Sequence, residues 1–298
     1  MVENGDKKSV INIEVPIPGH YLDSLIASKH TLLRSQLERV RIIAADFKAI
    51  DLTADEHRAL MAIWSMYHRI GYKEETFKKG ITLTAYELCK RMDYPSDNLG
   101  RFGGKVRKSA LHALISLSKK AFTIYFTKFK RIEKGENVYD AIVMPNCTLL
   151  DIEYKASDVT EEELMKGNLE EKVSRIHLRI KPIFFSNNYY RLFRANFYSR
   201  LKAVLSKSNR RVTKYHWNFA FWRLKQMNSK KPIEINVDKL VEILKLPNDS
   251  AHRSRARTKA RELYEDFKKL GDISDYKIDV PAQNGNTKDV IGLRGVLG

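Results

Sequence analysis

The sequence predicts an α+β fold, mainly helical, in which one helix–strand–helix–helix–hairpin unit occurs twice. Three observations predict it. ITLTAYELCKRMDYPSD (81–97) aligns without gaps on IEINVDKLVEILKLPND (233–249), an offset of 152 residues. Amphipathic helical patterns flank both stretches in the same order. Each copy then closes on two alternating strand patterns around a polar turn. A chain of 298 residues with 43% hydrophobic content has room for two modest cores.

The first copy opens with LTADEHRALMAIWSMYHRIG (52–71). Thr53 and Glu56 form a capping-box pattern, each side chain satisfying an orphan donor of the first turn. Leu60, Ile63, Trp64 and Tyr67 follow as an apolar stripe. ITL (81–83) predicts a short strand, and Thr84 with Glu87 repeats the capping box before a helix over 85–92 that Pro95 stops. A third helix is expected over roughly 104–120, facing Val106, Ala110, Ala113, Leu114 and Leu117 inward. FTIYFTKFK (122–130) and NVYDAIVM (137–144) then read as a hairpin around RIEKGE.

The second copy repeats this order. VTKYHWNFAFWRLKQM (212–227) is an aromatic-rich helix, IEI (233–235) a short strand, and Asn236 caps VDKLVEILKL before Pro247 ends it. AHRSRARTKARELYEDFKKL (251–270) places cations at alternate positions, which alone would read as a strand. Yet Ala256, Ala260, Leu263, Tyr264, Phe267 and Leu270 recur at helical spacing, so a helix is expected. DYKIDV (275–280) and KDVIGLRG (288–295) complete a second hairpin.

Helix, strand, helix, turn, helix and hairpin is the order of a winged helix, whose third helix meets DNA and whose hairpin is the wing. The expected architecture is two tandem winged-helix domains forming a pseudo-two-fold internal repeat. The boundaries predicted are an amphipathic helical segment over 1–50 (Leu32, Leu33, Leu37 and Val40 on its stripe), a first domain over 51–147, an acidic linker over 148–174 around Glu161, Glu162 and Glu163, and a basic second domain over 175–298 that starts with the strand RIHLRI (175–180).

Charge points to the partner. The formal net charge is +18, and nearly all of it falls in 172–298. Such asymmetry favours a polyanion, with nucleic acid preferred to a membrane because no basic segment ends in an apolar face suited to insertion. The polar start MVENGDKKSV, the absence of any spanning apolar run, and two distant cysteines without CxxC spacing fit a reducing cytoplasm. Eight scattered histidines without HExxH or HxH give no expectation of a metal or other cofactor.

At 100° per residue, Arg253, Arg257 and Arg261 fall along one flank of the apolar stripe of 251–270, and Arg255 and Lys259 on the far side of its polar face. A ridge with cations on both edges suits a groove walled by phosphates. Arg255 and Arg257 are expected at base edges, and Arg261 at a phosphate or paired with Glu265 at i+4. Arg210, Arg211 and Lys214 are expected at backbone, Lys288 and Arg294 on the wing, and Lys105, Arg107, Lys108 and His112 at a neighbouring groove. For this last group a solvated helix face is nearly as good a reading.

Enzymatic readings fare poorly, and no catalytic residue is expected. GRFGGKVRKS (100–109) fails GxxxxGK[ST], because Leu99 stands where glycine is needed and Val106 follows Lys105. His252 with Arg255 matches HxxR, and Tyr264 or Tyr276 offers a nucleophile for a recombinase-like strand transferase. That match arises readily in a stretch this basic. Tyr189 and Tyr190 lack the metal-binding histidines of a nicking enzyme. Trp217, Phe219, Phe221 and Trp222, crowded on one helix, suit a core better than base stacking.

The order of parts resembles the iteron-binding plasmid replication initiators, or Rep class. The resemblance is carried by IEINVDKLVEILKL, by a basic helix ending ELYEDFKKLGDISDYKID and by a hairpin closing in KDVIGLRG (233–294), with LTADEHRALMAIW in the first copy. The acidic linker and the basic stretch KSNRRVTK (207–214) depart from that pattern. The resemblance implies binding to repeated origin sequences on double-stranded DNA, host helicase or initiator proteins as partners, and a homodimer that represses its own gene. A winged-helix transcriptional repressor is the alternative, and the recombinase a distant one.

Overall fold

The computed structural model describes strands at Glu14–Pro18 (β1), Leu32–Leu33 (β2) and Val40–Ile43 (β3). It then describes 51–293, apart from 71–73, 135, 168, 181–189, 195, 227–231, 247–250 and 282–286. The chain is α+β, and its helices carry one shared core while small antiparallel sheets flank it.

In the first copy, Ala54–Ile70 (α1) is opened by the Thr53–Glu56 capping box, Thr53 N–H donating to Glu56 Oε2 at 2.6 Å and Glu56 N–H to Thr53 Oγ1 at 3.2 Å. Glu74–Lys79 (α2), Ile81–Leu83 (β4), Ala85–Arg91 (α3) and Gly104–Lys119 (α4) follow. Thr84 and Glu87 cap α3 reciprocally, as their spacing predicts. Ala110, Ala113, Leu114 and Leu117 of α4 are buried against α1.

The hairpin that follows, Ala121–Glu133 (β5) and Glu136–Thr148 (β6), is paired as expected but does not fill the wing position. β5 has β6 on one side and β3 on the other, in a sheet of order β2-β3-β5-β6, so neither edge is left to meet β4. Leu32, Leu33 and Val40 therefore lie on strands and not on an amphipathic helix, while Leu37 lies outside the described residues. β4 pairs instead with Val173–Ile180 (β8), which pairs in turn with Leu150–Ala156 (β7). The segment expected as a linker thus supplies a wing strand, with Glu161–Lys166 (α5), capped by Thr160, between the two strands.

Tyr190–Arg194 (β9) pairs with β1, and Phe197–Ser206 (α6) leads into the second copy. There Lys214–Gln226 (α7), Ile233–Asn236 (β10), Val237–Leu244 (α8), His252–Leu270 (α9), Ile273–Pro281 (β11) and Thr287–Leu293 (β12) follow in order. Its sheet runs β10-β12-β11, matching β4-β8-β7 strand for strand, with the last strand central in each. This equivalence extends the repeat that 81–97 and 233–249 show in sequence, once the β5–β6 hairpin is treated as an insertion before the first wing.

The copies pack on each other through one continuous core. Trp217, Phe219, Phe221 and Trp222 of α7 are all buried, the fate their density on one helix predicts. Trp217 stacks on His57 of α1 with ring centroids 5.7 Å apart and an interplanar angle of 20°. Burial, with the Lys245 charge adding to it, pushes the His57 pKa down to about 3, so this ring is neutral. Helix α6 stitches both copies. Tyr198 and Tyr94 sandwich the buried Arg58 guanidinium at 3.7 Å each, while Arg200 Nη2 donates to the Leu270 carbonyl at 2.9 Å. Arg58 also donates from Nε to the Met92 carbonyl at 2.8 Å and pairs with Asp55 at 3.0 Å.

Candidate nucleic-acid interface

Helix α9 buries Ala256, Ala260, Leu263, Tyr264, Asp266, Phe267 and Leu270. Opposite that face, the helical repeat sets Ser254, Thr258 and Arg261 on the outward arc. Ser254 and Thr258 are exposed, and the Thr258 hydroxyl donates back to the Ser254 carbonyl at 3.2 Å. Charge alternation marks the arginines and not these two residues, although the apolar stripe already fixes the centre of the polar arc.

Cations flank this crown on both sides. Toward the wing, Arg257 Nη2 donates to Thr287 Oγ1 at 2.9 Å and its Nε lies 3.7 Å from Asp279. Arg261 pairs with Asp279 at 3.1 Å, whereas Glu265 pairs with Lys269 at 3.3 Å and accepts from the Tyr276 hydroxyl at 3.1 Å. The expected i+4 pair of Arg261 and Glu265 gives way because the wing brings a second carboxylate to Arg261. Arg253 pairs with Asp238 of α8 at 2.8 Å. Arg255 is exposed, and Lys259 meets Glu262 at 2.9 Å on the side facing α7.

The start of α9 favours anions. Its N-cap is Ala251, with no side-chain hydrogen bond and no acidic residue in the first turn. Helix α4 matches it, with Gly103 at the cap and no first-turn acid. Helices α3, α5 and α8 do the opposite: Thr84, Thr160 and Asn236 cap them, and an acid sits in each first turn. The third helix of each copy thus lacks a side-chain cap and a first-turn acid, as does α6.

The remaining expected residues divide. Lys105 and Arg107 are exposed on α4, without an ion pair among the described residues, and Lys108 is half-buried. His112 turns toward Glu170, 3.4 Å away. Lys288 is engaged by Glu234 at 2.6 Å across the second sheet, and Arg294 lies outside the described residues. Two of the expected residues have carboxylate partners within the protein. Arg210 is a packing anchor: both terminal nitrogens reach the buried Asp266 carboxylate, Nη1 to Oδ1 and Nη2 to Oδ2 at 2.8 Å each. Lys214 pairs with Asp51 and joins the two copies. Chain position alone placed them beside Arg211, whose side chain is exposed.

Tyr264, the candidate nucleophile, has no exposed surface, and its hydroxyl donates to Asp289 Oδ2 at 2.9 Å. Burial and the Asp289 charge push its pKa well above the ordinary tyrosine value, and burial raises that of Asp289 as well. A hydroxyl so placed is held in the core, away from any scissile phosphate. Tyr276 is engaged by Glu265, Tyr189 lies outside the described residues, and Tyr190 sits on β9. No group of metal-ligating side chains occurs among the described residues, and none of their helices is long and apolar enough to cross a membrane.

No protein-family model matches the chain, and neither does any curated protein. Among solved structures, it is similar to a crystal structure of selenomethionine-labelled domains 2 and 3 of RctB, at 10% identity and a TM-score of 0.45, over 89% of this chain and 90% of that one.

Proposed function

We propose that the chain is a sequence-specific double-stranded DNA-binding protein that initiates replication by binding repeated origin sites. The observation that supports this best is the crown of α9. Small polar residues Ser254 and Thr258 occupy its outward arc, and arginines and lysine flank them between the wing and α7. A helix with side chains is 10–12 Å across and the B-DNA major groove about 12 Å wide, so seating the crown brings the flanking cations to the phosphate walls. Arg255, near the N-terminal end that enters deepest, is the base-reading arginine on this account. Ser254 and Thr258 contact neighbouring base edges, and Arg257 and Arg261 take phosphates.

The second copy does not act alone. Lys105 and Arg107 on α4 offer a weaker cationic face, and one core packs the two copies together. A two-module reader of this kind suits a site longer than one winged helix covers. The initiator role rests on the resemblance of 233–294 to the Rep class, and so do host replication proteins and a homodimer as partners. Footprinting purified protein on the DNA flanking its gene tests this reading. Evenly spaced direct repeats are expected. A single palindrome beside a promoter would make it a repressor instead.

A further inference from the structure

A recess of about 180 Å³ opens between the segment before α7 and the middle of α9. Its lining carries three cations and one carboxylate. Arg210, Arg211, Tyr215 and His216 line it from α7 and the segment before it, and Lys259 and Glu262 line it from α9. We propose that this recess seats one phosphate of the DNA backbone, with Arg211 as its principal contact. The proposal rests on the DNA-binding reading above and adds a site that the crown of α9 does not include.

The segment is built to hold Arg211 in place. Arg210 is clamped on Asp266, and its N–H donates to the Leu205 carbonyl at 3.1 Å. Two residues on, Thr213 N–H donates to His216 Nδ1 at 3.0 Å. That nitrogen is therefore an acceptor, the ring proton sits on Nε2, and it is donated to Asp266 Oδ2 at 3.3 Å. Asp266 thus ties down the chain on both sides of Arg211, whose own head group has no partner among the described residues. Ordering Arg211 on a phosphate then costs only its side-chain freedom.

Charge and position agree with a phosphate. Of the lining cations, Arg210 is neutralised by Asp266 and lies 3.6 Å from Glu262, Lys259 is held by Glu262 at 2.9 Å, and Arg211 carries its charge without an ion pair among the described residues. An entering phosphate competes with Glu262 for Lys259. Helix α7 starts at the recess, without an acidic residue in its first turn, so the positive end of its dipole lies there. On α9, Arg255 and Lys259 lie on the recess side of the crown while Arg257 and Arg261 lie on the wing side. The recess thus takes one wall of the groove and the wing the other.

The test is the salt dependence of duplex binding by the full chain, wild type against Arg211→Gln, with Lys259→Gln as a second variant. Arg211 is exposed, so its replacement leaves folding intact. Losing one phosphate contact is expected to weaken binding to any duplex about tenfold and to flatten the log K versus log salt slope by about 0.9. A scan of neutral methylphosphonates along the DNA backbone should find one position that weakens the wild type and leaves Arg211→Gln unaffected. If the wild type binds and the variant keeps the same slope and affinity, the recess is not a phosphate seat, while the DNA-binding reading stands. Loss confined to one target sequence would make Arg211 a base reader and overturn the proposal. A wild type that binds no duplex overturns both.

Discussion

Arg261 and Asp279 meet at 3.1 Å across the gap between α9 and the wing strand β11, and Arg257 approaches the same carboxylate at 3.7 Å. Asp279 sits at φ 55°, a left-handed conformation, and its N–H donates to Asp289 Oδ1 at 3.1 Å. On the proposed reading, this wing carboxylate competes with DNA phosphates for both arginines. Asp279→Asn removes that competitor, and asparagine tolerates the same backbone conformation. Binding to non-target duplex is expected to tighten several-fold and the target preference to narrow, measured by titration at fixed salt. Thermal stability should move little, since exposed ion pairs contribute about 0–1 kcal/mol.

Arg210 is expected to behave quite differently from its neighbour Arg211. Arg210→Met leaves the buried Asp266 carboxylate with His216 as its remaining partner. A loss of about 2 kcal/mol is expected, below the full cost of breaking a buried pair because Arg210 is about one-third exposed. Denaturant unfolding measures this. DNA affinity below the lowered melting point should fall by no more than Arg211→Gln costs, because Arg210 acts by holding the chain beside Arg211.

The buried His57 sets a pH dependence. Its pKa is about 3 when folded and about 6.5 when unfolded. Between these values the unfolded chain binds the extra proton, so stability rises with pH there. The neutral ring's contribution is complete above pH 6.5 and is lost as pH falls toward 3, by up to a few kcal/mol. His57→Phe keeps an aromatic ring against Trp217 and removes the titration. Chemical denaturation at pH 7 and pH 4.5 should show a smaller difference for the variant than for the wild type.

Tyr264→Phe tests the role of that hydroxyl. Removing it strips a donor from the buried Asp289, which retains the Asp279 N–H. Stability should fall by about 1–2 kcal/mol, while DNA binding stays at the wild-type level. A tyrosine–DNA adduct trapped with the wild type and absent from the variant would restore the strand-transfer reading.

Local signals were legible in the sequence and long-range ones were not. Thr53 with Glu56, Thr84 with Glu87 and Asn236 announced their helix starts, because capping is settled within four residues. The stripe of α9 gave its core face for the same reason. Which strand joins which sheet is not local, so the β5–β6 hairpin, read correctly as a hairpin, was set in the wing position that β7 and β8 fill. The same limit explains Arg261, whose partner Asp279 comes from the wing and not from the next helical turn. It also explains Arg210 and Arg211, identical in composition yet separated by whether a buried carboxylate stands opposite.

The most direct test of the account is selection of binding sites from a pool of random DNA duplexes by wild type and by Arg255→Ala. The wild type should enrich a defined motif. The variant should bind it about 5–150-fold more weakly, the ~1–3 kcal/mol of one base contact, and lose preference at one base position only. An enriched motif that is unchanged in Arg255→Ala, or no motif at all from the wild type, would contradict major-groove reading by α9.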